Sequence, residues 1–99
     1  MSKGGYVYIM SNKSRSTYYV GVTSNLSVRS SQHKNGEGSK FTKRYNCFDL
    51  VYYEFHVTIV QAIEQEKRLK RWHREWKDEL IKSINPNMRD LYDEVRDLV

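Results

Sequence analysis

Residues 59–83, IVQAIEQEKRLKRWHREWKDELIKS, decide how the rest of this chain is interpreted. Thr58 precedes the stretch and Gln61 follows Thr58 by three residues, a pattern that predicts a helix start with a capping box. Apolar residues then recur at helical spacing. His73 to Trp76 marks a point where one helix can give way to another. The stretch therefore predicts one long helix or two consecutive helices that pack against the rest of the chain.

Glu66 is the polar residue that interrupts the apolar face of this helix. It lies four residues after Ala62 and three before Leu69, so it falls on the packed face and not the solvated one. A buried carboxylate is costly unless it is paired, hydrogen-bonded or bound to a metal. The helix alone leaves two interpretations open: an ion pair with Arg68, Lys70 or a distant cation, or a functional carboxylate.

The composition limits the class of protein. Its 99 residues have the size of a single domain, 1–99, and a content of 38% hydrophobic and 29% charged residues is typical of a folded chain. Cys47 is the sole cysteine, which excludes an internal disulfide and a cysteine cluster for zinc. No apolar run is long enough to cross a bilayer, and the first residues lack a signal-peptide pattern. We therefore expect a cytoplasmic protein without membrane attachment.

Charge is distributed unevenly along the chain. Residues 1–83 carry 15 Lys and Arg against 8 Asp and Glu, a net of +7, whereas residues 84–99 carry 2 against 4, a net of −2. A basic body is compatible with a polyanionic partner, and nucleic acid is the commonest one. Residues 84–99 are expected to form an acidic C-terminal helix, with Asn85 as its cap and Pro86 in its first turn.

Three segments rich in tyrosine and valine predict strands: residues 6–10, 17–22 and 48–55. The loop between the first two predicts an antiparallel hairpin with Met10 opposite Thr17 and Tyr8 opposite Tyr19, so that both tyrosine rings share one sheet face. An aromatic cross-strand pair more often stabilises a sheet than marks a site. The pair alone therefore leaves both interpretations open.

Two further segments lie between the second and third strands. Asn25 is predicted to cap a helix over residues 26–35 that ends at Gly36. Arg29 and His33 lie four residues apart and therefore on one face of it, where such a pair is usually solvated. Residues 36–44, GEGSKFTKR, predict a flexible basic loop with room for one helical turn. The fold class that results is α/β (α+β), a three-stranded, largely antiparallel sheet flanked by helices.

The order and spacing of these features resemble the GIY-YIG nuclease superfamily, most closely its small stand-alone bacterial members. The Tyr-Val-Tyr triplet at 6–8 and the Tyr-Val-Gly triplet at 19–21 stand where that family has its two signature triplets. Residues 36–42 and 66–72 also look like those small members. The resemblance covers roughly residues 5–92 and implies a GIY-YIG-like fold.

The resemblance also implies roles for individual residues. Family members cut a phosphodiester with a single divalent metal, Mg²⁺ or Mn²⁺, held by one carboxylate, which Glu66 matches. Tyr8 matches the tyrosine thought to activate water, and Tyr19 matches its partner at the phosphate. Arg29 would clamp the scissile phosphate, since a guanidinium suits phosphate geometry. His33 would orient a tyrosine or assist proton transfer.

Other residues have weaker assignments. Asn85 matches a supporting asparagine of the family. Asn87 lies close enough in sequence that it could be the matching residue instead. Asn85 is equally a candidate for a helix cap. Trp72 and Trp76 are predicted to belong to the core and not to a base-stacking surface. Four basic residues are expected to contact the nucleic-acid backbone: Lys34, Lys40, Lys43 and Arg44.

We expect a metal-dependent DNA endonuclease, structure-selective and acting in DNA repair or processing. One alternative is a non-catalytic nucleic-acid-binding module of the same fold, and another is a nuclease subunit that needs a protein partner docked on the acidic tail. Both signature tyrosines should lie on one sheet face, and the remaining site residues should converge on them: Arg29, His33 and Glu66.

Overall fold

The computed structural model describes residues 4–98 and contains a three-stranded antiparallel sheet with helices on both faces. The strands are β1 (Gly5–Ser11), β2 (Tyr18–Thr23) and β3 (Asp49–His56), in the order β2-β1-β3. The helices are α1 (Leu26–Lys34), α2 (Lys40–Arg44), α3 (Ile59–Arg71), α4 (Arg74–Ile84) and α5 (Tyr92–Val95). This architecture confirms the fold class expected from the sequence. None of the helices within residues 4–98 is long and apolar enough to span a membrane.

The two faces of β1 pack against different helices because side chains alternate along a strand. Val7 and Ile9 are buried on one face, hereafter the α3 face, against Ala62 and Leu69 of α3 and Ile81 of α4. This packing explains the apolar spacing of the long helical stretch.

The opposite face, hereafter the tyrosine face, carries Tyr8 and Met10. These two residues are buried with Leu26 of α1, Leu50 of β3 and Val95 of α5, and Tyr19 of β2 packs against the same cluster. The second core therefore contains both signature tyrosines and is covered by α1 and α5.

The hairpin register differs from the predicted one. Tyr8 lies opposite Gly21 and Met10 opposite Tyr19, so the predicted pairing of Tyr8 with Tyr19 is wrong by two residues. A shift of two leaves every side chain on its original face. The two tyrosines therefore still share a face, as diagonal and not direct neighbours.

The loop of the hairpin accounts for this shift. Pairing continues to Ser11 and Tyr18, and Asn12 then folds the loop by accepting hydrogen bonds from the backbone N–H groups of Ser16 (2.9 Å) and Thr17 (3.1 Å). An asparagine that organises a turn through its own side chain is common. Here it moves the loop one residue along the chain from the predicted position.

The break in the long helical stretch falls at Trp72 and His73, so it overlaps the predicted point, His73 to Trp76, only at His73. Thr58 accepts a hydrogen bond from the Gln61 N–H at 3.1 Å, α3 ends at Arg71, and α4 begins two residues past the extended backbone of Trp72. Trp72 packs against the α3-face core, but Trp76 is 51% exposed, so the prediction that both tryptophans are buried is wrong for Trp76.

The predicted helix over residues 84–99 is also wrong. Of residues 85–98 only Tyr92–Val95 is helical, and Asn85 ends α4 instead of starting a new helix at Pro86. The Asn85 amide donates to the carbonyl oxygens of Val51 (2.9 Å) and Arg89 (2.8 Å), and its oxygen accepts from the Arg89 N–H. Asn85 thus fastens the turn after α4 to β3. Val99 lies outside the described residues.

The acidic residues after α4 fold back onto the domain. Asp90 pairs with Lys34 and accepts a hydrogen bond from the Leu50 N–H, and Glu94 pairs with Arg89. Several of the tail's carboxylates are therefore engaged within the chain.

Asn85→Ala is expected to lower the free energy of unfolding by about 2–4 kcal/mol, because a buried carbonyl and a backbone N–H lose their partners. The matched control is Asn87→Ala, an exposed position where the change should stay within about 0.5 kcal/mol. Urea unfolding of both variants measures the difference. Equal stability of the two variants would contradict the structural role of Asn85.

Candidate active site

Three rings meet on the tyrosine face. The ring centroids of Tyr8 and Tyr19 are 6.4 Å apart, and His33 lies 5.5 Å from Tyr8 and 5.6 Å from Tyr19. His33 reaches them because α1 crosses this face, starting at Asn25, whose side chain accepts from the Val28 N–H. The structure therefore brings together three of the residues that the sequence singled out, and it buries His33 completely.

A chain of hydrogen bonds leads from Tyr8 into the protein. The Tyr8 hydroxyl lies 2.9 Å from His33 Nε2, and His33 Nδ1 lies 3.1 Å from Thr42 Oγ1. The single proton of the Thr42 hydroxyl is donated to the Ser39 carbonyl oxygen at 3.0 Å. Thr42 Oγ1 also accepts from the Ser39 N–H at 3.1 Å and lies 3.2 Å from Ser39 Oγ. We assign the tautomer in which His33 Nδ1 donates to Thr42 and the Tyr8 hydroxyl donates to Nε2.

The protonation states agree with this direction. Burial raises the pKa of Tyr8 above its ordinary value, nearby Tyr19 and Glu66 raise it further, and Arg29 opposes them. Burial, with a contribution from Arg29, lowers the pKa of His33 to about 4. At neutral pH the phenol keeps its proton and the imidazole beside it is uncharged.

Two glycines make room for these rings. A Cβ on Gly21 would lie 2.4 Å from the Tyr8 Cζ and hydroxyl oxygen, and a Cβ on Gly38 would lie 2.0 Å from His33 Nδ1. Both separations are far below van der Waals contact, so any larger residue would displace the ring. The glycine of the Tyr-Val-Gly triplet and the second glycine of residues 36–44 are thus explained by close packing at the site.

Arg29 lies one helical turn before His33 and is exposed. No side-chain hydrogen bond or ion pair engages its guanidinium within residues 4–98, although its charge acts on both Tyr8 and His33. This position leaves a cation available to an anion that approaches the tyrosines.

Glu66 approaches from a different direction than expected. Its helix, α3, packs on the α3 face, so its backbone lies across the sheet from the tyrosines, and the expectation of convergence on one face is wrong for this element. The charge of Glu66 nevertheless raises the pKa of Tyr8. Tyr8 extends its hydroxyl over Gly21 on the edge strand β2.

The Glu66 carboxylate is paired within its own helix. Its side chain is only 13% exposed and forms an ion pair of 2.7 Å with Lys70, whose side chain is 51% exposed. One of the two interpretations of Glu66 is therefore realised, with a flexible surface lysine as the partner. Such a pair is weak, about 0.3–0.5 kcal/mol, so the carboxylate can exchange it for a stronger partner.

The oxygen ligands available here suit a particular kind of metal. Residues 4–98 contain no group of three or more His, Cys, Asp or Glu placed to hold an ion. Mg²⁺ keeps several waters and is commonly bound by one or two carboxylates together with substrate phosphates. A single nearly buried Glu66 fits that coordination, and it does not fit a zinc site with three or four protein ligands.

The remaining predicted residues are placed as follows. The Asn85 side chain bonds to Val51 and Arg89, and none of its hydrogen bonds reaches the three rings. Lys34 pairs with Asp49 at 3.3 Å and with Asp90, so its ammonium is engaged inside the domain instead of facing a ligand. The other three basic residues are exposed on α2: Lys40, Lys43 and Arg44.

Thr42 is the site residue that sequence reasoning missed. It is buried, and the structure shows a capping box in which Ser39 and Thr42 bond reciprocally at the start of α2. The Ser-x-x-Thr spacing signalled this helix start in the sequence. Nothing local indicated that the threonine would also contact a histidine nine residues earlier.

Comparisons with known proteins agree with the fold and the motifs. Residues 4–79 match the family model of the GIY-YIG catalytic domain. A UPF0213 protein of Clostridium perfringens is 40% identical over 78 residues, which cover 79% of this chain and 83% of the relative. A UPF0213 protein of Bacillus pumilus is 31% identical over 84 residues, covering 85% and 86%.

A solved structure is also similar. The solution NMR structure of a UPF0213 protein from Bacillus halodurans has a TM-score of 0.55 and 24% identity, and the match covers 97% of this chain and 98% of that one. At this identity the likeness shows a shared fold.

Stability should fall in acid because of His33. Its pKa is about 4 in the folded protein and 6.5 ordinarily, so between these values the unfolded chain binds a proton that the folded chain rejects. We expect this one group to remove up to about 3 kcal/mol as pH decreases from about 6.5 to 4.

Urea unfolding at a series of pH values measures this slope. His33→Gln, which keeps an amide for hydrogen bonding, should flatten it, whereas the exposed control His73→Gln should not. An identical pH dependence in the native protein and in His33→Gln would refute the buried neutral imidazole.

Proposed function

Because the chain belongs to the GIY-YIG catalytic domain family, a nuclease-type family, we propose that it is a metal-dependent endonuclease that hydrolyses phosphodiester bonds in DNA. We further propose that it selects DNA by structure and acts in repair or processing. The observation that carries the proposal is the hydrogen-bond chain from Tyr8 through His33 to Thr42. That chain gives a buried phenol a place to deliver its proton.

The phenol and the imidazole together form a proton-transfer unit. A phenolate would be costly in this buried position, because the pKa of Tyr8 is raised. Tyr8 therefore takes a proton from the attacking water while it passes its own proton to His33 Nε2. As the water oxygen bonds to phosphorus, the bond from phosphorus to the leaving oxygen breaks. Because the pKa of His33 is lowered to about 4, the imidazolium gives its proton back through Tyr8 to the leaving oxygen or to solvent. The Nδ1–H bond to Thr42 holds the imidazole in the tautomer that can accept it. No free phenolate forms in this scheme.

Arg29 and Tyr19 face the developing charge. The exposed Arg29 guanidinium can bind two phosphate oxygens at once and offset the negative charge that grows on the phosphate during attack. Tyr19 is half-buried next to Tyr8, where its hydroxyl would donate to a phosphate oxygen. Both groups act on the substrate and need no other partner in the chain.

Glu66 would hold the metal, Mg²⁺ or Mn²⁺, after releasing Lys70. When bound, the cation supplies charge stabilisation at the phosphate. Residues 4–98 contain no group of three or more metal-binding side chains, and Glu66 is the one carboxylate assigned to the metal here, so we propose one metal and not two. We propose that Asn85 positions β3, because its side-chain amide donates to the Val51 carbonyl oxygen of that strand.

One observation favours a second candidate function. The Glu66–Lys70 ion pair already neutralises the carboxylate, as expected of a nucleic-acid-binding module that retains the fold without catalysis. The other alternative is activation by a protein docked on the acidic tail. Asp90 and Glu94 are paired within the chain, so the carboxylates that such a partner would meet are Asp93 and Asp97, which are 87% and 91% exposed.

Glu66→Gln separates catalysis from binding. Gln keeps the size but removes the charge that a hard cation requires, so Mg²⁺-dependent cleavage should fall by several orders of magnitude. The matched control is Glu64→Gln, an exposed position on the same helix, which should cut normally.

Thermal stability and DNA binding in EDTA complete this test. Both should be nearly unchanged in Glu66→Gln, because the lost pair with half-exposed Lys70 is worth less than about 1 kcal/mol. Native-rate cleavage by Glu66→Gln, or its unfolding tens of degrees early, would reject the metal-ligand assignment.

The basic residues of α2 should set the salt dependence of binding. Lys40, Lys43 and Arg44 are exposed, and replacing all three by Gln should lower the slope of log affinity against log salt by about 2–3. The loss should be similar for all DNA sequences, since backbone contacts carry no sequence information.

A control removes three exposed cations from other elements: Lys13, Arg71 and Lys82. It should change the slope less than the α2 variant does. Equal slopes for the two triple variants would place the DNA backbone elsewhere on the protein.

A further inference from the structure

Phe41 of helix α2 and Tyr45, the residue that follows this helix, expose two neighbouring aromatic rings. Phe41 is 41% exposed and Tyr45 is 43% exposed, and their ring centroids lie 4.8 Å apart at an interplanar angle of 45°. Their spacing of four residues places them on one side of the short helix. The rings form a contiguous aromatic surface, hereafter the platform. The hydrogen-bond chain from Tyr8 does not use it.

The platform continues the aromatic surface of the candidate active site. The Phe41 ring lies 5.9 Å from Tyr19, at an angle of 32°, and Tyr19 in turn lies 6.4 Å from Tyr8. Its position is held because Thr42, within the same turn, bonds to His33 and closes the capping box with Ser39. A ligand on the platform would therefore lie at a defined distance from the tyrosines.

Positive charge surrounds the platform. Lys40, Lys43 and Arg44 are exposed on α2, and the Arg44 guanidinium carbon lies 5.5 Å from the centre of the Tyr45 ring. Within residues 4–98 none of these three side chains forms a hydrogen bond or ion pair. Stacking rings interleaved with cations suit a ligand that offers flat bases and phosphates together.

We propose that Phe41 and Tyr45 stack against an unpaired nucleobase of the strand cut at Tyr8 and Tyr19, while the cations of α2 hold its neighbouring phosphates. The inference rests on the proposed nuclease function and names its substrate class. In an intact duplex the faces of each base are covered by adjacent bases. The platform therefore selects a strand that is unpaired next to the cleavage point, as in a single strand or a flap.

Binding in EDTA tests the platform independently of cleavage. Phe41→Ala should weaken binding of a single-stranded oligonucleotide by about 5- to 100-fold, the range for one base stacked on an aromatic ring, and change duplex binding by less than about twofold. Phe41→Leu keeps apolar packing on Tyr19 without an aromatic face. It should show the same selective loss, with thermal stability near that of the native protein.

The matched control is Phe55→Ala. Phe55 is 58% exposed on β3 and packs edge-on against Tyr6 at 5.2 Å. Its removal should leave single-strand and duplex binding unchanged. An equal loss in Phe55→Ala, or an equal loss of duplex and single-strand binding in both Phe41 variants, would overturn the platform.

An abasic residue moved along the oligonucleotide provides the second arm, since it removes a base and keeps the phosphates. At one position it should weaken binding to the native protein as much as Phe41→Leu does. At that position it should cause no further loss in the variant. If at every position the abasic residue weakened binding by the same factor in Phe41→Leu as in the native protein, the stacked contact would be refuted.

Magnesium-dependent cleavage separates the two proposals. If the native protein cuts no substrate but Phe41→Leu selectively loses single-strand binding, the platform is supported and the proposed nuclease function is overturned. Cleavage by the native protein, with single-strand binding unaffected in Phe41→Leu, overturns the platform alone.

Discussion

The buried hydroxyl of Tyr8 is the constraint on which the site depends. A phenol sealed into a sheet face must have a hydrogen-bond partner, because an unpaired buried polar group costs about 1–3 kcal/mol. His33 is that partner, and its own second nitrogen needs another, which Thr42 supplies. The two hydrogen bonds therefore connect three elements: Tyr8 on β1, His33 on α1 and Thr42 on α2. No side-chain polar atom buried within residues 4–98 lacks a partner.

The same constraint accounts for local sequence features that have no other explanation. Gly21 and Gly38 leave room for the Tyr8 and His33 rings. The short helix α2 needs its capping box, because the Thr42 hydroxyl must be held while it accepts from Nδ1. A neutral histidine costs stability in acid, so the chain keeps a protonation state suited to proton transfer at the expense of acid tolerance.

Sequence reasoning predicted the features that depend on local spacing. The strands, the helix capped by Asn25 and the break near His73 follow from alternation, caps and periodicity, and the structure confirms them. The hairpin register was wrong because the Asn12 side chain, not loop length, positions the turn. The contacts of Asn85 and Lys34 were not predicted because these partners lie 34 and 56 residues away along the chain, at Val51 and Asp90. No local pattern encodes such contacts.

The arrangement of groups around the sheet edge bears on how a substrate would reach them. Proton acceptors come from α1 and α2 on the tyrosine face, whereas the Glu66 carboxylate belongs to a helix on the α3 face. Both affect the same phenol, whose hydroxyl lies against Gly21 of the edge strand β2. A phosphate at this edge would meet Arg29 and Tyr19 from one side and a carboxylate from the other. Glu66 pairs with Lys70 and not with Arg29, so a ligand at this edge would find the Arg29 guanidinium unengaged within residues 4–98 and a carboxylate whose partner is a half-exposed lysine.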